Sequence, residues 1–524
     1  MKKNSTKYLI WVLLITFIAA CKKDPQLKPE ENVSPETGTR TELSLDSIYL
    51  YAKQTYLWYD QLPGYQEFNP RQFASFQGDE ESILNSELYT ITQIPVNPQT
   101  GKPYEYVANA GYPKYSFLNV NTNISGSLSA VDLEGSGDDL GFKIQPIEIN
   151  NSSYDFRIKY VEVGSPAYKA GLKRGYRVLQ ADEENINLDN FDNIPEQNRV
   201  VLKVQKPNGS VSTVTLNMDF YESNPVFKKT ILTAGTKKVG YVALARFSNL
   251  NNSQSVLNDA FSEFANANIE NIVVDLRYNG GGYVNTAQYL TNLIAPSSLN
   301  NKVMYIEHYN DLMSSDKAEI LKKQILYDEN NDPVTYKGRT ATYFDLDFTE
   351  EGNTYKFSST MEVNGSDVTI PKIESVKNVY FIVTRNTASA SELVINNLKP
   401  HLNVKIIGSN TYGKPVGFFP IRIDQYEMYI PNFQTRNASG QGDYFSGFTP
   451  DVASVDDVTR DFGDPNELCL SKALALIQNG NTISANTTMV LKGNRVMNAS
   501  SVEVKNVGKD DSFKGLIENR LKLK

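Results

Sequence analysis

The sequence predicts a multidomain α+β protein, and three observations lead to that prediction. The 524 residues are more than one hydrophobic core usually supports, so several domains are expected. The middle of the chain is a series of short strands, and the region after it alternates strands with helices. The 31 tyrosines, against 2 tryptophans, fit a chain rich in strands with half-buried surfaces.

The first residues indicate an export signal. Three lysines within the first seven residues precede an uncharged apolar run from Tyr8 to Ala20, which is too short to span a bilayer stably. The run ends in Ile18-Ala19-Ala20-Cys21, which resembles the lipobox of bacterial lipoproteins. The resemblance implies a signal peptide over residues 1–20, a lipid on Cys21, and an outer-membrane lipoprotein of the bacterial cell envelope, facing the periplasm or the cell surface. An ordinary signal peptide with a cysteine there by chance is the alternative.

Composition excludes several classes of protein. With only 2 cysteines, one of them Cys21, neither a disulfide framework nor a cysteine-based metal site is expected. Cys469 lies in an apolar helical pattern and is expected to be buried and inert. The formal charge of −8, with scattered basic residues, does not indicate a nucleic-acid partner. No metal or other cofactor is expected.

The N-terminal part should contain a tether and a small helical module. Residues 21–41 have almost no large apolar side chains, so a disordered tether to the lipid is expected there. Apolar residues from Leu45 to Leu57 fall mostly at three- and four-residue spacings, and Pro63-Gly64 stops the pattern. We therefore predict a mostly helical module over residues 42–125.

Residues 135–222 are predicted to form a β-rich domain with one short helix. Asp139-Leu140-Gly141-Phe142 and the stretch Gly164–Leu172 resemble the carboxylate-binding loop and following helix of PDZ domains. The resemblance implies that Leu140, Gly141 and Phe142 bind the end of a peptide, which adds as a strand beside the loop. An occluded loop that binds no carboxylate is the alternative.

Residues 223–480 alternate strands and helices, which predicts a mostly parallel sheet with helical cover. Residues 298–375 are a polar, strand-prone insertion in this core. Residues 481–524 are predicted to be a C-terminal extension made of a hairpin and a helix. The main core elements are expected at Val239–Ala245, Ser253–Ala265, Ile272–Leu276, Val379–Val383, Ser389–Leu398 and Val404–Ile407.

The stretch Thr387–Glu392 follows a buried strand and opens a helix. A serine there, Ser389, presents its hydroxyl to a substrate, and the next N–H, that of Ala390, can hold an oxyanion. Serine is also a common helix N-cap, which is the ordinary explanation of such a residue.

A nucleophilic serine needs a base, and the chain has only two histidines. His308 lies in the polar insertion, and His401 lies about 15 Å from Ser389, at the other end of its helix. Lys414 follows the next parallel strand and can return beside Ser389. Burial there would lower the pKa of its amine from about 10.4. A solvated lysine in a turn is the alternative.

A third element is the buried strand that ends in Asp275-Leu276-Arg277 and runs into Gly280-Gly281-Gly282. Glycines allow a substrate backbone to approach closely, and they can aim N–H groups inward. A tight turn is the alternative. Nucleotide binding is excluded, because neither a P-loop nor the dinucleotide-binding glycine spacing is present.

Along the chain, the strand end with its glycines comes first, then the Ser389 turn and then the Lys414 loop. In this order the three elements resemble the C-terminal processing (tail-specific) serine peptidases, in particular lipoprotein members of the Bacteroides-like type with a PDZ domain. The resemblance implies an α/β core of the ClpP/crotonase-like type, with Ser389 as nucleophile and Lys414 as base. It also implies that the N–H of Gly281 or Gly282, with that of Ala390, forms the oxyanion hole. Many members have a glutamine four residues after the lysine; here Phe418 stands there, which leaves Glu392 or Asn386 as the orienting group.

The sequence thus predicts an exported, lipid-anchored serine endopeptidase that cleaves unfolded or C-terminally exposed polypeptides through an acyl-enzyme. A catalytically inactive lipoprotein that binds peptides in its PDZ-like groove is the alternative, and Phe418 favours it. A carbohydrate-cleaving enzyme is disfavoured for want of a placed carboxylate pair.

Overall fold

A computed structural model describes residues 34–120, 131–150, 153–328, 332–363, 365–482, 489–492, 495–498, 515–517 and 522–524. The predicted signal peptide and Cys21 lie outside these residues. Among the residues that are described, no helix is long and apolar enough to cross a membrane.

The N-terminal region begins with a capped helix. The Thr39 hydroxyl accepts from the N–H of Glu42, and the Glu42 carboxylate accepts from the N–H of Thr39. The helix therefore starts at Arg40, inside the stretch predicted to be tether. The elements of this region are α1 (Arg40–Thr55), α2 (Tyr65–Phe68), α3 (Glu80–Thr92), β1 (Val96–Asn97), β2 (Lys102–Pro103) and β3 (Phe117–Val120).

This region packs directly against the core formed by residues 223–480. Strand β3 pairs antiparallel with Tyr426–Tyr429 of the core. The buried faces of α1 and α3 belong to the same apolar cluster as the core helices. The N–H of Leu57 donates to the carbonyl of Pro431 at 2.8 Å. Because of these contacts, the N-terminal region lies at the edge of the candidate site.

Residues 135–222 form a twisted antiparallel sheet with the strand order β10-β9-β7-β6-β5, and β8 pairs with β7. Along β9 the side chains of Val200, Leu202 and Val204 alternate into the core of this region. The strands and helix are β4 (Ser136–Gly137), β5 (Phe142–Asn150), β6 (Ser153–Val161), α4 (Pro166–Lys169), β7 (Arg177–Ala181), β8 (Glu184–Asn185), β9 (Arg199–Gln205), β10 (Val211–Asn217) and β11 (Tyr221–Glu222).

The core sheet has the order β12-β13-β14-β22-β23-β28. Only β12 and β13 pair antiparallel among these strands, so the predicted mostly parallel sheet is present. Its elements are β12 (Val226–Ala234), β13 (Lys237–Leu244), α5 (Leu250–Asn266), β14 (Asn271–Asp275), β15 (Gly282–Tyr283), α6 (Val284–Ile294), β22 (Asn378–Val383), α8 (Ala390–Leu398), β23 (Asn403–Gly408), β28 (Val452–Ala453) and α9 (Leu468–Gln478).

Helices cover both faces of this sheet. Val274 on β14 packs in the cluster that contains the buried faces of α5, α6 and α8. Its neighbour Val273 points to the opposite face and packs against α9. Because both faces are covered, the central strands are apolar along their whole length, as is typical of parallel sheets.

The insertion is built into a second sheet. Strand β16 pairs with β19 on one side and with β27 on the other, and β24 closes the order β19-β16-β27-β24. The insertion contains β16 (Val303–Tyr309), α7 (Asp311–Ser314), β17 (Thr335–Tyr336), β18 (Arg339–Thr340), β19 (Thr354–Lys356), β20 (Thr360–Val363) and β21 (Ser366–Thr369). After β23 come β24 (Val416–Gly417), β25 (Ile421–Ile423), β26 (Tyr426–Tyr429) and β27 (Phe433–Asn437).

The C-terminal extension contains the predicted hairpin, formed by β29 (Met489–Lys492) and β30 (Arg495–Asn498). The helix predicted there is not among the elements of the described residues. Strand β31 (Leu516–Ile517) is not part of this hairpin. It pairs parallel with β15 of the core.

Candidate active site

Ser389 lies in a strained turn between β22 and α8. Its φ of 61° and ψ of −114° fall in a region that residues with a side chain rarely adopt. Such backbone strain concentrates at functional sites, where the surrounding structure maintains it. Ser389 is fully buried, and its Oγ makes no hydrogen bond within the described part of the chain.

The carboxylate of Glu392 joins this turn to the loop that carries Lys414. Its Oε2 accepts from the backbone N–H of Ser389 at 2.9 Å and from that of Lys414 at 2.8 Å. Its Oε1 accepts from Thr411 Oγ1 at 2.5 Å and from the N–H of Gly413 at 2.8 Å. Burial raises the pKa of Glu392, and these hydrogen bonds oppose that shift.

Lys414 is 1% exposed, so the solvated turn of the alternative interpretation is wrong. Its Nζ lies 4.1 Å from the ring centroid of Phe418, within the range of a cation–π contact. Of the two side chains considered as the group that orients Lys414, Glu392 accepts a hydrogen bond from the backbone N–H of Lys414. The buried Oδ1 of Asn386 makes no hydrogen bond among the described residues, so it accepts none from the lysine.

Two residues of the N-terminal region brace the lysine loop, and sequence reasoning missed both. Lys114 Nζ donates to the carbonyls of Gly413 at 3.1 Å and Phe445 at 2.7 Å. The hydroxyl of Tyr115 also donates to the Gly413 carbonyl, at 2.6 Å. Burial lowers the pKa of Lys114 to about 8. Nothing local marks these residues, because their partners lie about 300 positions away in the chain.

The glycine loop lies against the nucleophile turn. Gly281 and Gly282 have φ values of 114° and 134°, which side chains disfavour. A Cβ on Gly281 would lie 2.8 Å from Cβ of Ser389 and 3.1 Å from the nitrogen of Ala390. The loop, Ser389 and Ala390 therefore line one cleft. The N–H of Gly281 donates to Asn279 Oδ1 at 2.9 Å.

A buried ionic cluster fixes the strand end before the glycine loop. Arg277 is 2% exposed and pairs with Asp275 at 2.8 Å, Glu467 at 2.8 Å and Asp456 at 2.6 Å. Arg174 of the β-rich region binds the same Asp456 at 2.6 Å. Although burial disfavours their ionisation, these guanidinium groups hold the pKa values of Asp456 and Glu467 below the usual range.

The other candidate groups lie apart from this cleft. His401 Nε2 lies 3.1 Å from the carbonyl oxygen of Val303, and His308 Nδ1 lies 2.6 Å from the Glu350 carboxylate. Cys469 is buried as predicted, and burial raises the pKa of its thiol. No group of acidic, histidine or cysteine side chains suited to a metal ion occurs in the described part of the chain.

All three residues of the predicted peptide-binding loop are buried. Leu140 and Phe142 are fully buried in the core of the β-rich region. Gly141 has a φ of 73°, and a Cβ there would lie 2.0 Å from Cβ of Ser165, so the position requires glycine. Strand β5, which follows the loop, is an edge strand whose outer side pairs with no other described strand.

The fold and the site together define an α/β multidomain protein with a buried serine, lysine and glycine-loop centre. Residues 238–454 match the model of peptidase family S41. The matched segment contains Ser389, Lys414 and the glycine loop, whose motifs resemble the C-terminal processing peptidases.

Two curated relatives of this chain are described as C-terminal processing peptidases. The chain is 24% identical over 268 residues to a chloroplastic C-terminal processing peptidase of Tetradesmus obliquus, which covers 48% of this chain and 46% of the relative. It is 27% identical over 136 residues to chloroplastic carboxyl-terminal-processing peptidase 3 of Arabidopsis thaliana, with 23% and 26% covered. The matches therefore span less than half the length of these curated relatives.

A crystal structure described as a candidate S41 protease from Bacteroides fragilis has a similar fold. It aligns with a TM-score of 0.53 and 22% sequence identity, over 86% of this chain and 99% of that one. The likeness extends well beyond the part of the chain that the family model matches.

Proposed function

We propose that this protein is an exported, lipid-anchored serine endopeptidase that cleaves unfolded or C-terminally exposed polypeptides with a Ser389–Lys414 dyad. The observation that carries the proposal is the Glu392 carboxylate, which binds the backbone N–H groups of both residues. A carboxylate that joins a strained serine turn to a buried lysine is more than a helix cap requires. The match of residues 238–454 to peptidase family S41 supports peptide hydrolysis as the reaction.

The chemistry follows from the positions of these groups. Ser389 Oγ attacks the peptide carbonyl carbon while the Lys414 amine takes its proton. The lysine then returns the proton to the leaving amine, and water hydrolyses the acyl-enzyme. The N–H of Ala390 and one from the glycine loop, Gly281 or Gly282, stabilise the oxyanion.

Phe418 is compatible with a lysine base. Burial favours the neutral form of an amine, which is the form that accepts a proton. The ring face of Phe418, 4.1 Å from Nζ, then stabilises the ammonium that forms. This contact weakens the argument that Phe418 gives for the catalytically inactive alternative, because the ring itself contacts the lysine amine.

Residues 135–222 would act as a PDZ-like substrate-binding domain. The loop Leu140-Gly141-Phe142 would bind the end of a polypeptide, which would add to the open edge of β5. Cys21 would carry the lipid that holds the enzyme at the bacterial outer membrane, facing the periplasm or the cell surface. Replacement of Cys21 by serine should release the protein from the membrane fraction.

The full chain, solubilised in detergent, is tested by offering it an unfolded protein and following cleavage. Ser389→Ala and Lys414→Ala should each lower kcat/KM by about 10⁴-fold or more, and chelators should have no effect. The exposed Ser439→Ala and Lys399→Ala serve as matched controls that should cut at the parental rate. A parent that cuts nothing, or Ser389→Ala and Lys414→Ala variants that cut as well as the parent, would contradict the proposal.

A further inference from the structure

The segment Gly515–Ile517 lies in the candidate cleft. Leu516 and Ile517 pair parallel with Gly282 and Tyr283 of the glycine loop. On its other side Ile517 forms a parallel bridge with Phe418, four residues after Lys414. The strand β31 therefore lies between the glycine loop and the strand that follows the lysine, which is the place of a bound substrate strand.

A backbone carbonyl of this segment lies beside the nucleophile. The N–H of Gly282 donates to the carbonyl oxygen of Gly515 at 2.8 Å. That oxygen lies 2.5 Å from the point that a Cβ on Gly281 would occupy, and Cβ of Ser389 lies 2.8 Å from the same point. Ser389, the glycine loop and the Gly515 carbonyl thus meet where a scissile peptide would have to lie.

An apolar socket holds the next side chain. Ile517 is 3% exposed. It packs in a small cluster separate from the main core, whose other members are Leu133, Tyr283, Phe418 and Tyr429, with Phe117 beside them. A branched apolar side chain therefore fills the space between the glycine loop and Phe418, and no other polypeptide can place a side chain there at the same time.

The insertion holds the last residues through both backbone and side chains. Leu523 bridges Leu346 in an antiparallel pair, and the flanking backbone groups complete the contact. The Lys524 ammonium pairs with Asp316 at 2.6 Å, and Lys522 Nζ donates to the Gly352 carbonyl at 2.6 Å. The flanking hydrogen bonds are Asp347 N–H to Lys522 O at 2.8 Å, Lys524 N–H to Asp345 O at 3.0 Å, and the Tyr336 hydroxyl to Lys524 O.

We propose that Gly515–Ile517 and Lys522–Lys524 act as a built-in ligand of the peptidase. Gly515–Ile517 lies in the cleft, and Lys522–Lys524 is anchored by a docking site on the insertion. Gly515–Ile517 occupies the substrate strand, so the segment has to leave before another polypeptide is cut. The docking site selects an extended strand with an apolar residue between two cations, because it offers a backbone edge at Leu346 and the carboxylate of Asp316. This proposal rests on the proposed function for its consequence, but its placement of the segment is independent of turnover.

The activity test compares full chains. Ile517→Asp places a charge in the apolar socket and should raise kcat/KM for an unfolded protein about tenfold, mainly through a lower KM. Val96→Asp, a matched change at an exposed apolar position of β1, should leave activity at the parental level. Activity of Ile517→Asp equal to or below that of the parent would overturn the proposal.

A binding test separates this proposal from the proposed function. In a Ser389→Ala background, a fluorescent peptide with the sequence of residues 515–524 should bind about tenfold more tightly when Ile517→Asp is added, because the internal competitor is lost. Equal affinities would overturn the proposal even if the parent is an active peptidase. If the parent cuts nothing but the affinities differ as expected, only the proposed function fails.

A charge exchange tests the docking site on the insertion. For this test the fluorescent peptide has alanine at the positions of Lys522 and Lys524, so that it does not use the docking site. Asp316→Lys should then raise the affinity of the Ser389→Ala chain for this peptide, as Ile517→Asp does, because it repels only the internal Lys524. Adding Lys524→Glu to Asp316→Lys should restore the weak binding of the parent background. An Asp316→Lys variant that binds the peptide no more tightly, or a double variant that is not restored, would exclude this docking site.

Discussion

Two buried carboxylate clusters flank Ser389, and they are built in opposite ways. On the lysine side, Glu392 is bound directly by four uncharged donors: three backbone N–H groups and the Thr411 hydroxyl. On the glycine-loop side, Asp275, Asp456 and Glu467 surround the guanidinium of Arg277. The first cluster contains a single negative charge, whereas the second is a network of opposite charges.

The difference shows in the direction of the pKa shifts. Burial raises the pKa of Glu392, and its uncharged hydrogen-bond donors oppose that shift without reversing it. Arg174 and Arg277 lower the pKa of Asp456, even though burial opposes its ionisation. The ionic cluster is therefore suited to hold the strand end and the β-rich region together over a wide pH range. The Glu392 cluster instead fixes the geometry of two reacting residues.

The largest expected effect is on stability, from breaking the ionic cluster. Arg277→Met leaves the buried carboxylates of Asp275 and Glu467, and the partly buried one of Asp456, short of their central partner. It should lower the free energy of unfolding by about 3–5 kcal/mol. Denaturant unfolding measures this, with the exposed Arg199→Met as a control that should change stability by less than about 0.5 kcal/mol. A loss below about 1 kcal/mol for Arg277→Met would mean that the cluster does not stabilise the fold.

A smaller effect, on activity, is expected at Glu392. Glu392→Gln keeps one acceptor oxygen, so two of the four donors lose their partner and the serine and lysine loops shift relative to each other. We expect kcat to fall about 10²-fold with KM little changed, because small displacements of reacting groups are costly. Glu87→Gln is the control: that carboxyl is fully buried and makes no hydrogen bond in the described residues. Unchanged kcat in Glu392→Gln would remove Glu392 from the mechanism.

The smallest expected effect is a difference in pH dependence: the carboxyl groups of the two clusters should become protonated at different pH values. Glu392, with its raised pKa, protonates as the pH falls toward the ordinary glutamate value of 4.5, and one oxygen then accepts less well. This protonation does not destabilise the fold, because the folded state takes up the proton before the unfolded one. Asp456, with a lowered pKa, keeps its stabilising charge until the pH falls below the ordinary aspartate value of 3.8.

Activity should therefore be lost reversibly at a pH where the fold is still intact. Parallel titrations of peptidase activity and far-ultraviolet circular dichroism, from neutral pH to about pH 3, measure the two transitions. Coincident loss of both signals would mean that acid inactivates the enzyme only by unfolding it.

Local patterns predicted much of the architecture. The apolar strands Ile272–Leu276 and Val379–Val383 are buried on both faces, and the short strands of residues 135–222 alternate across one sheet. The structure also brings Ser389, Lys414, Gly281, Gly282 and Ala390 to one cleft, as parallel strands ending on the same side require. These features follow from periodicity and strand direction, which short windows of sequence contain.

Contacts between distant parts of the chain were not predictable in this way. The prediction of a mostly helical module over residues 42–125 did not include the pairing of β3 with β26 or the hydrogen bond from Lys114 to the loop of Lys414. The orienting group of the lysine was left between two candidates, and only the folded chain shows Glu392 on its backbone and Phe418 beneath its amine.

The sequence by itself determined the parallel sheet, the serine turn, the lysine and the glycine loop, because each depends on a local pattern of apolar residues, glycine and helix start. The tertiary structure decided what surrounds them: the brace from Lys114, the ionic cluster reached by Arg174, and the strand of Gly515–Ile517 in the cleft. Those contacts join residues that are far apart in the chain, and their energies depend on burial and charge that exist only once the chain has folded.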